Sequence, residues 1–193
     1  MSAVAHPRIT PEELLKLPDG ERYELVDGEL VEGTMSGESV WIAGRLFRRI
    51  DEYCETHRLG IVLTDGQSYQ CFPDDEDRIR RPDVSFVKAG RLPLNQFEQG
   101  HCRIAPDLAA EVVSPNDLFA DVERKANEYL SAGVHLVWVL NPETQTILVY
   151  RPDGSMAHLS SKNELDGESV LPGFKCPVKS LFPDKVQLGL KPT

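Results

Sequence analysis

Leu108-Ala-Ala-Glu-Val-Val113 and Val134-His-Leu-Val-Trp-Val-Leu140 are two nearly continuous apolar runs, separated by residues 114–133. Strands buried on both faces read this way, because no alternate position has to meet water. Ser114-Pro-Asn-Asp117 breaks the first run and opens a helix that ends at Gly133. Strand, helix, strand at this spacing predicts a βαβ unit with parallel strands and a right-handed crossover.

The pattern changes on both sides of this unit. Toward the C-terminus, Thr146–Arg151, an Asp153-Gly154 turn and Ser155–Ser160 predict an antiparallel extension, and the turn-rich stretch Leu165–Phe182 is expected to pack over an edge. Toward the N-terminus, Val84-Ser-Phe-Val87 reads as a strand, as do Ile61–Thr64 and Ser68–Phe72 joined through Asp65-Gly66. From Ser39 to His57 the residues Val40, Ala43, Phe47, Ile50 and Cys54 recur at helical steps, with Gly60 closing the segment. Trp41, Phe47 and Tyr53 read as helix-face core or a subunit contact, not as a base-stacking platform. Asp27-Gly28 between Glu21–Val26 and Glu29–Glu32 predicts an N-terminal hairpin with a type I′ turn. Thr10-Pro11-Glu12-Glu13 supplies a cap, a first-turn proline and a capping-box glutamate for a short helix that stops near Pro18-Asp19-Gly20. With no repeat, linker or low-complexity stretch, the expectation is one α/β domain over residues 1–193.

Composition limits the function. The 193 residues carry 21 Lys and Arg against 31 Asp and Glu, a net charge of −10, so bulk electrostatic grip on nucleic acid is excluded. DNA would need a local basic patch or a divalent cation. Apolar residues at 40% and charged residues at 27% exclude collagen-like, disulfide-dense and disordered chains. No apolar run reaches the roughly 18 residues of a membrane span, and the first residues lack a signal pattern, so the cytoplasm is the expected location. Cys54, Cys71, Cys102 and Cys176 lie far apart without paired spacing and are expected to be reduced thiols. His-Glu-x-x-His, the phosphate-binding glycine loop and the Gly-x-Ser-x-Gly elbow are all missing.

Three charges interrupt the pattern. Glu111 is the one charge within Leu108–Val113, where an ionised carboxylate needs a partner or a metal. Asp83 follows Pro82 and opens the strand Val84–Val87. Lys125 falls on the same helical face as Leu118, within an apolar pattern of Leu118, Phe119, Val122, Ala126, Tyr129 and Leu130. Two carboxylates and a lysine meeting at a sheet edge can hold Mg²⁺ with waters left on it, activate one of those waters and stabilise charge on a phosphoryl oxygen. Plainer readings stand beside this one. Asp83 pairs with Arg80 or Arg81, Glu111 belongs to a structural ion pair, or Lys125 snorkels to solvent. The cluster Arg78, Arg80, Arg81 is expected to neutralise Asp74–Asp77 rather than bind phosphate.

Six stretches in order resemble the Uma2 family of endonucleases, also called the domain of unknown function 820 family, within the PD-(D/E)xK restriction-endonuclease-like superfamily. They are Tyr23-Glu-Leu-Val-Asp-Gly-Glu-Leu-Val31, Arg81-Pro-Asp-Val-Ser-Phe-Val87, Pro106-Asp-Leu-Ala-Ala-Glu-Val-Val-Ser-Pro115, Asp121-Val-Glu-Arg-Lys-Ala-Asn-Glu-Tyr-Leu-Ser-Ala-Gly-Val134, Trp138-Val-Leu-Asn-Pro142 and Leu171-Pro-Gly-Phe174. The resemblance implies a mixed sheet flanked by helices, with Asp83 and Glu111 as the paired acids. Val113 stands where the usual lysine would be, so the resemblance implies a migrated amine on Lys125. It also implies that Glu24 in the hairpin adds or orients a metal ligand. The expectation is an endonuclease dependent on Mg²⁺ or Mn²⁺ acting on DNA, with metal on Asp83, Glu111 and the carbonyl of Val112, and a homodimer, the commonest assembly. Ser39 occupies a position where members often carry histidine. The alternative is a catalytically silent nucleic-acid- or protein-binding regulatory module on the same fold.

Overall fold

A computed structural model describes residues 8–33 and 35–189. The elements run α1 (Pro11–Leu14), β1 (Tyr23–Val26), β2 (Glu29–Glu32), α2 (Gly37–His57), β3 (Gly60–Thr64), β4 (Val84–Lys88), α3 (Leu94–Glu98), β5 (Leu108–Val112), α4 (Phe119–Ser131), β6 (Leu136–Asn141), β7 (Thr146–Tyr150), β8 (Met156–Leu159), β9 (Glu164–Asp166) and β10 (Lys175–Pro177). Six strands form the central sheet in the order β3-β4-β5-β6-β7-β8. Only β5 and β6 pair in parallel, joined through α4 as the two apolar runs require. The other pairings are antiparallel, giving the expected mixed sheet.

Strand alternation sorts the core into two layers. Leu108, Ala110 and Val112 of β5, with Leu136, Trp138 and Leu140 of β6, face α2 and join Ile42, Leu46 and Ile50 in the larger cluster. Ala109, Val137 and Val139 face the other way, onto Ala126 and Tyr129 of α4. The C-terminal stretch seals the α2 side with Leu165, Leu171, Phe174, Val178 and Leu181.

The N-terminal hairpin forms as its turn predicts. Asp27 and Gly28 both have positive φ, 52° and 80°, and β1 pairs with β2 in a sheet of its own. It is held to the main body by an isolated bridge between Leu25 and Ile79, over a small core of Leu14, Leu25 and Ile79. The capping box of α1 is present in both directions.

Four local expectations are corrected. Ser68–Phe72 is not a strand: Tyr69 makes only isolated bridges to Arg80 and Cys102, because its backbone is shared between two loop neighbours. The end of α2 is made by Arg58 in the left-handed conformation, φ 55°, while Gly60 opens β3. Val40 is 55% exposed, because it lies in the first turn of α2 beside the cleft described below. Leu118 and Phe119 are 68% and 67% exposed, because the first turns of α4 overhang the sheet instead of packing on it. The four cysteines are free thiols, as expected.

Gly60 is fixed by close approach. A Cβ there would collide with the carbonyl oxygen of Val87, across the β3–β4 pairing. Gly60→Ala should therefore destabilise the fold by about 1–3 kcal/mol, the usual range for overpacking. Denaturant unfolding should show a lower midpoint at unchanged m-value. A parent-like midpoint would mean that β3 does not hold this register.

Candidate active site

The site begins with sheet register. Val84 pairs with Ala110 and Ser85 with Ala109, so the antiparallel β4–β5 ladder, carried one step further, sets Asp83 opposite Glu111. Both have the parity of Ala109, which faces α4. Like charges directly opposite one another destabilise a sheet, so this pair requires cations. The backbone N–H of Val112 donates to Asp83 Oδ2 at 2.6 Å, locking the aspartate over the end of β5.

The main countercharge comes from α4. Lys125 Nζ lies 3.0 Å from Glu111 Oε2 and 3.1 Å from Glu24 Oε1. Its side chain is 21% exposed, so it lines the wall of the cleft and does not face bulk water. One turn further along the helix, the Tyr129 hydroxyl donates to Glu111 Oε1 at 2.7 Å. Residues four apart share a helix face, and here that face fills both oxygens of one buried carboxylate. Sequence reasoning missed this role of Tyr129, since a buried aromatic in an apolar pattern looks like packing. Its spacing from Lys125 was the available signal.

Glu24 arrives from β1 and is held from two further directions. Arg80 donates to Oε2 at 2.9 Å and the Arg81 N–H donates to Oε1 at 2.7 Å. Arg80 also grips Glu128 Oε2, through Nε at 2.7 Å and a terminal nitrogen at 2.6 Å. The expectation that the arginine cluster serves Asp74–Asp77 holds only for Arg78, which pairs with Asp74 at 2.8 Å and Asp75 at 3.6 Å. Arg80 is drawn into the site. Arg81 donates to the carbonyls of Tyr23, Gly66 and Gly20 and so ties three loops together. Neither pairs with Asp83.

The charges tune one another. Burial alone would raise the pKa of Glu24, but Lys125, Arg80 and the Arg81 N–H outweigh it and hold the carboxyl low. Burial raises Glu111, with the Glu24 charge adding to it and Lys125 opposing. Burial works against the charge of Lys125, yet Glu111 and Glu24 hold the ammonium protonated well above its usual range. Asp83 is pushed up to about 8 by its poorly hydrated surroundings and then by the Glu111 charge. The surrounding cleft has a volume of about 570 Å³, and both Asp83 and Lys125 lie on its wall.

The family model of Uma2, described as "putative restriction endonuclease", matches residues 11–179. The chain belongs to the Uma2 family. A crystal structure of a "putative nuclease belonging to DUF820" from Anabaena variabilis is similar to it, with a TM-score of 0.76 and 25% sequence identity, over 90% of this chain and 97% of that one. Family and neighbour are both named for nucleases, and the chain is nuclease-like in family and in fold. Among curated proteins, none matches. Among the described residues, no helix is long and apolar enough to cross a membrane.

Ser39 is fully buried and contacts Ser36, Ser114 and the carbonyl of Val113. Among the described residues, no group of three or more His, Cys, Asp or Glu side chains is arranged to hold a metal. Mg²⁺ does not require one, since it binds through one or two carboxylates and keeps several waters. Asp83 and Glu111 are two carboxylates on one cleft wall, a donor set of the kind such an ion uses.

Because the folded pKa of Asp83 is raised from an ordinary 3.8 to about 8, the metal-free native protein keeps a proton between pH 4 and 8 that the unfolded chain has lost. Stability from this group therefore falls as pH rises through that window. Asp83→Asn should flatten the decline, measured as unfolding free energy in chelator at pH 5 and pH 8. An unchanged slope would place the titration elsewhere.

Proposed function

We propose that this Uma2 chain is a divalent-metal-dependent nuclease that hydrolyses phosphodiester bonds in DNA. The observation that carries this reading is the meeting of Asp83, Glu111 and Lys125, distant in sequence, on one open cleft, with Lys125 Nζ 3.0 Å from Glu111. Asp83, Glu111 and the carbonyl of Val112 would hold Mg²⁺ or Mn²⁺. When bound, such an ion lowers the pKa of a coordinated water and offsets phosphoryl charge.

The chain's own residues define the remaining roles. Lys125 is held protonated by two carboxylates, so it acts as a donor and not as a general base. Its ammonium can orient the attacking water and stabilise the negative charge that grows on the phosphoryl oxygen. In the overall reaction the water oxygen bonds to phosphorus, the bond from phosphorus to the leaving oxygen breaks, and the leaving oxygen gains a proton. Glu24 pairs with Lys125 and Arg80 and accepts from the Arg81 N–H, so both of its oxygens are engaged and its role is to position the amine. Tyr129 likewise fixes the direction in which Glu111 points.

A second reading, a catalytically silent binding module, draws on one feature: both oxygens of Glu111 already accept hydrogen bonds from the protein. Metal titration separates the two. Asp83→Ala and Glu111→Ala should lose Mn²⁺ binding, whereas Lys125→Ala should keep it. All three should lose Mg²⁺-dependent plasmid nicking by about 10²-fold or more, the scale of removing one electrostatic stabiliser. If all three bind Mn²⁺ like the parent, the enzyme reading fails.

A further inference from the structure

The carboxylate cleft is poorly equipped to attract a polyanion. Eight acidic side chains line it against five basic ones. Every one of those cations is engaged: Arg22 by Glu32, Arg80 by Glu24 and Glu128, Arg81 by backbone carbonyls, Arg124 by Asp121 and Glu128, and Lys125 by Glu24 and Glu111. A nucleic-acid strand must find its cations elsewhere on the chain.

They lie beside it. A second cleft, of about 710 Å³, is lined by Trp41 and Arg45 of α2, Gln145 of the β6–β7 turn, and Lys179, Asp184 and Lys185 of the C-terminal segment. Its charge is reversed, three cations against one acid, within a chain of net charge −10. Arg45 sits over the Trp41 ring, 5.5 Å from its centroid, and its Nε donates to the Ser180 carbonyl at 3.3 Å. Both contacts position the guanidinium, and its terminal nitrogens make no protein hydrogen bond among the described residues. Lys179 has no ion-pair partner among the described residues. Lys185 has only the exposed pair with Glu38, of the weak kind that a phosphate can exchange.

The two clefts are neighbours. Val40 lines the carboxylate cleft and the next residue, Trp41, lines this one, so they flank the first turns of α2. Gln145 follows β6 at the sheet end where Val112 closes β5, since Val112 pairs in parallel with Leu140. We propose that the Trp41–Arg45–Lys179–Lys185 cleft binds the backbone phosphates of a single nucleic-acid strand and anchors it beside the carboxylate cleft. Its part in cleavage rests on the nuclease reading; the binding itself does not. A guanidinium beside an indole offers a cation and an aromatic face together, and single-strand sites combine aromatic faces with a positive groove.

Trp138, the second of the two tryptophans, is fully buried, so a fluorescence change on binding reports Trp41. The full chain is titrated with a twelve-residue oligothymidylate in chelator at low salt, which leaves metal out of the reading. The expected result is quenching whose affinity falls with salt, with a log–log slope of about −2 for three phosphates at roughly −0.7 each. R45E/K179E should weaken binding on the order of tenfold or more and flatten the slope. K179E alone, an exposed change without a partner to lose, should weaken binding in the same direction. The proposal is overturned by no quenching in the parent, by parent-like affinity in R45E/K179E, or by equal quenching with poly-glutamate, which would make the site a binder of acidic peptides. A parent that never nicks plasmid with Mg²⁺ yet shows Arg45-dependent quenching loses the nuclease reading and keeps this one.

Discussion

A carboxylate in the middle of a doubly covered strand is the constraint around which this molecule is arranged. Glu111 lies on β5 among Ala109, Ala110 and Val112, where an unpaired charge would carry a desolvation penalty of several kcal/mol. Two residues of one helical face answer it, Lys125 with charge and Tyr129 with a hydroxyl. That answer fixes how α4 lies on the sheet, since both side chains must reach the same two oxygens. Removing one partner of such a buried pair typically destabilises by 3–5 kcal/mol, whereas an apolar replacement of the whole set is often neutral or better. A chain selected for stability alone would have continued the apolar run at residue 111, and the charge is therefore most economically explained by chemistry.

From Glu111 the network spreads outward in alternating charge. Lys125 reaches Glu24, Glu24 reaches Arg80, and Arg80 reaches Glu128, which returns to α4. The N-terminal hairpin belongs to no strand of the main sheet, so this ionic chain, with the Leu25–Ile79 bridge, is what aligns it. Arg80 thereby couples β1 and α4 to its own segment. The hairpin forms one wall of the cleft because a buried glutamate on β1 has no other set of donors to satisfy it.

The sequence disclosed these residues unevenly, and the unevenness has physical causes. Glu111 and Lys125 stand out because a charge in an apolar pattern is costly wherever the pattern is buried. The βαβ unit was legible for the related reason that only double coverage produces two such apolar runs. Asp83 was legible as a carboxylate opening a strand after Pro82, but its place opposite Glu111 needed the register of β4 against β5, which no local pattern contains, and Glu24 came only through resemblance to the family. Arg80 was misassigned because its neighbours in sequence are acidic while its partners in space come from β1 and α4. Leu118 and Val40 were placed on packed faces because periodicity gives the direction of a helix face without saying how far its neighbour extends. Ser68–Phe72 alternates like a strand, yet each neighbour gives it only a single bridge.

Ser39 bears on how protons move in the site. Its hydroxyl ties the start of α2 to the residues just beyond β5, through Ser114 and the Val113 carbonyl, so it supports the strand end that carries Glu111 without touching the carboxylate itself. Among the described residues no histidine lines the cleft, and His101 is buried between Ser68 and the Pro11 carbonyl with its pKa lowered by burial. Burial and the Glu111 charge raise Asp83 to about 8, and burial raises Glu111 above its usual range. A cation bound between them would pull both down and leave them ionised. On the proposed reading, occupancy of the site by a cation and the protonation of Asp83 are therefore linked.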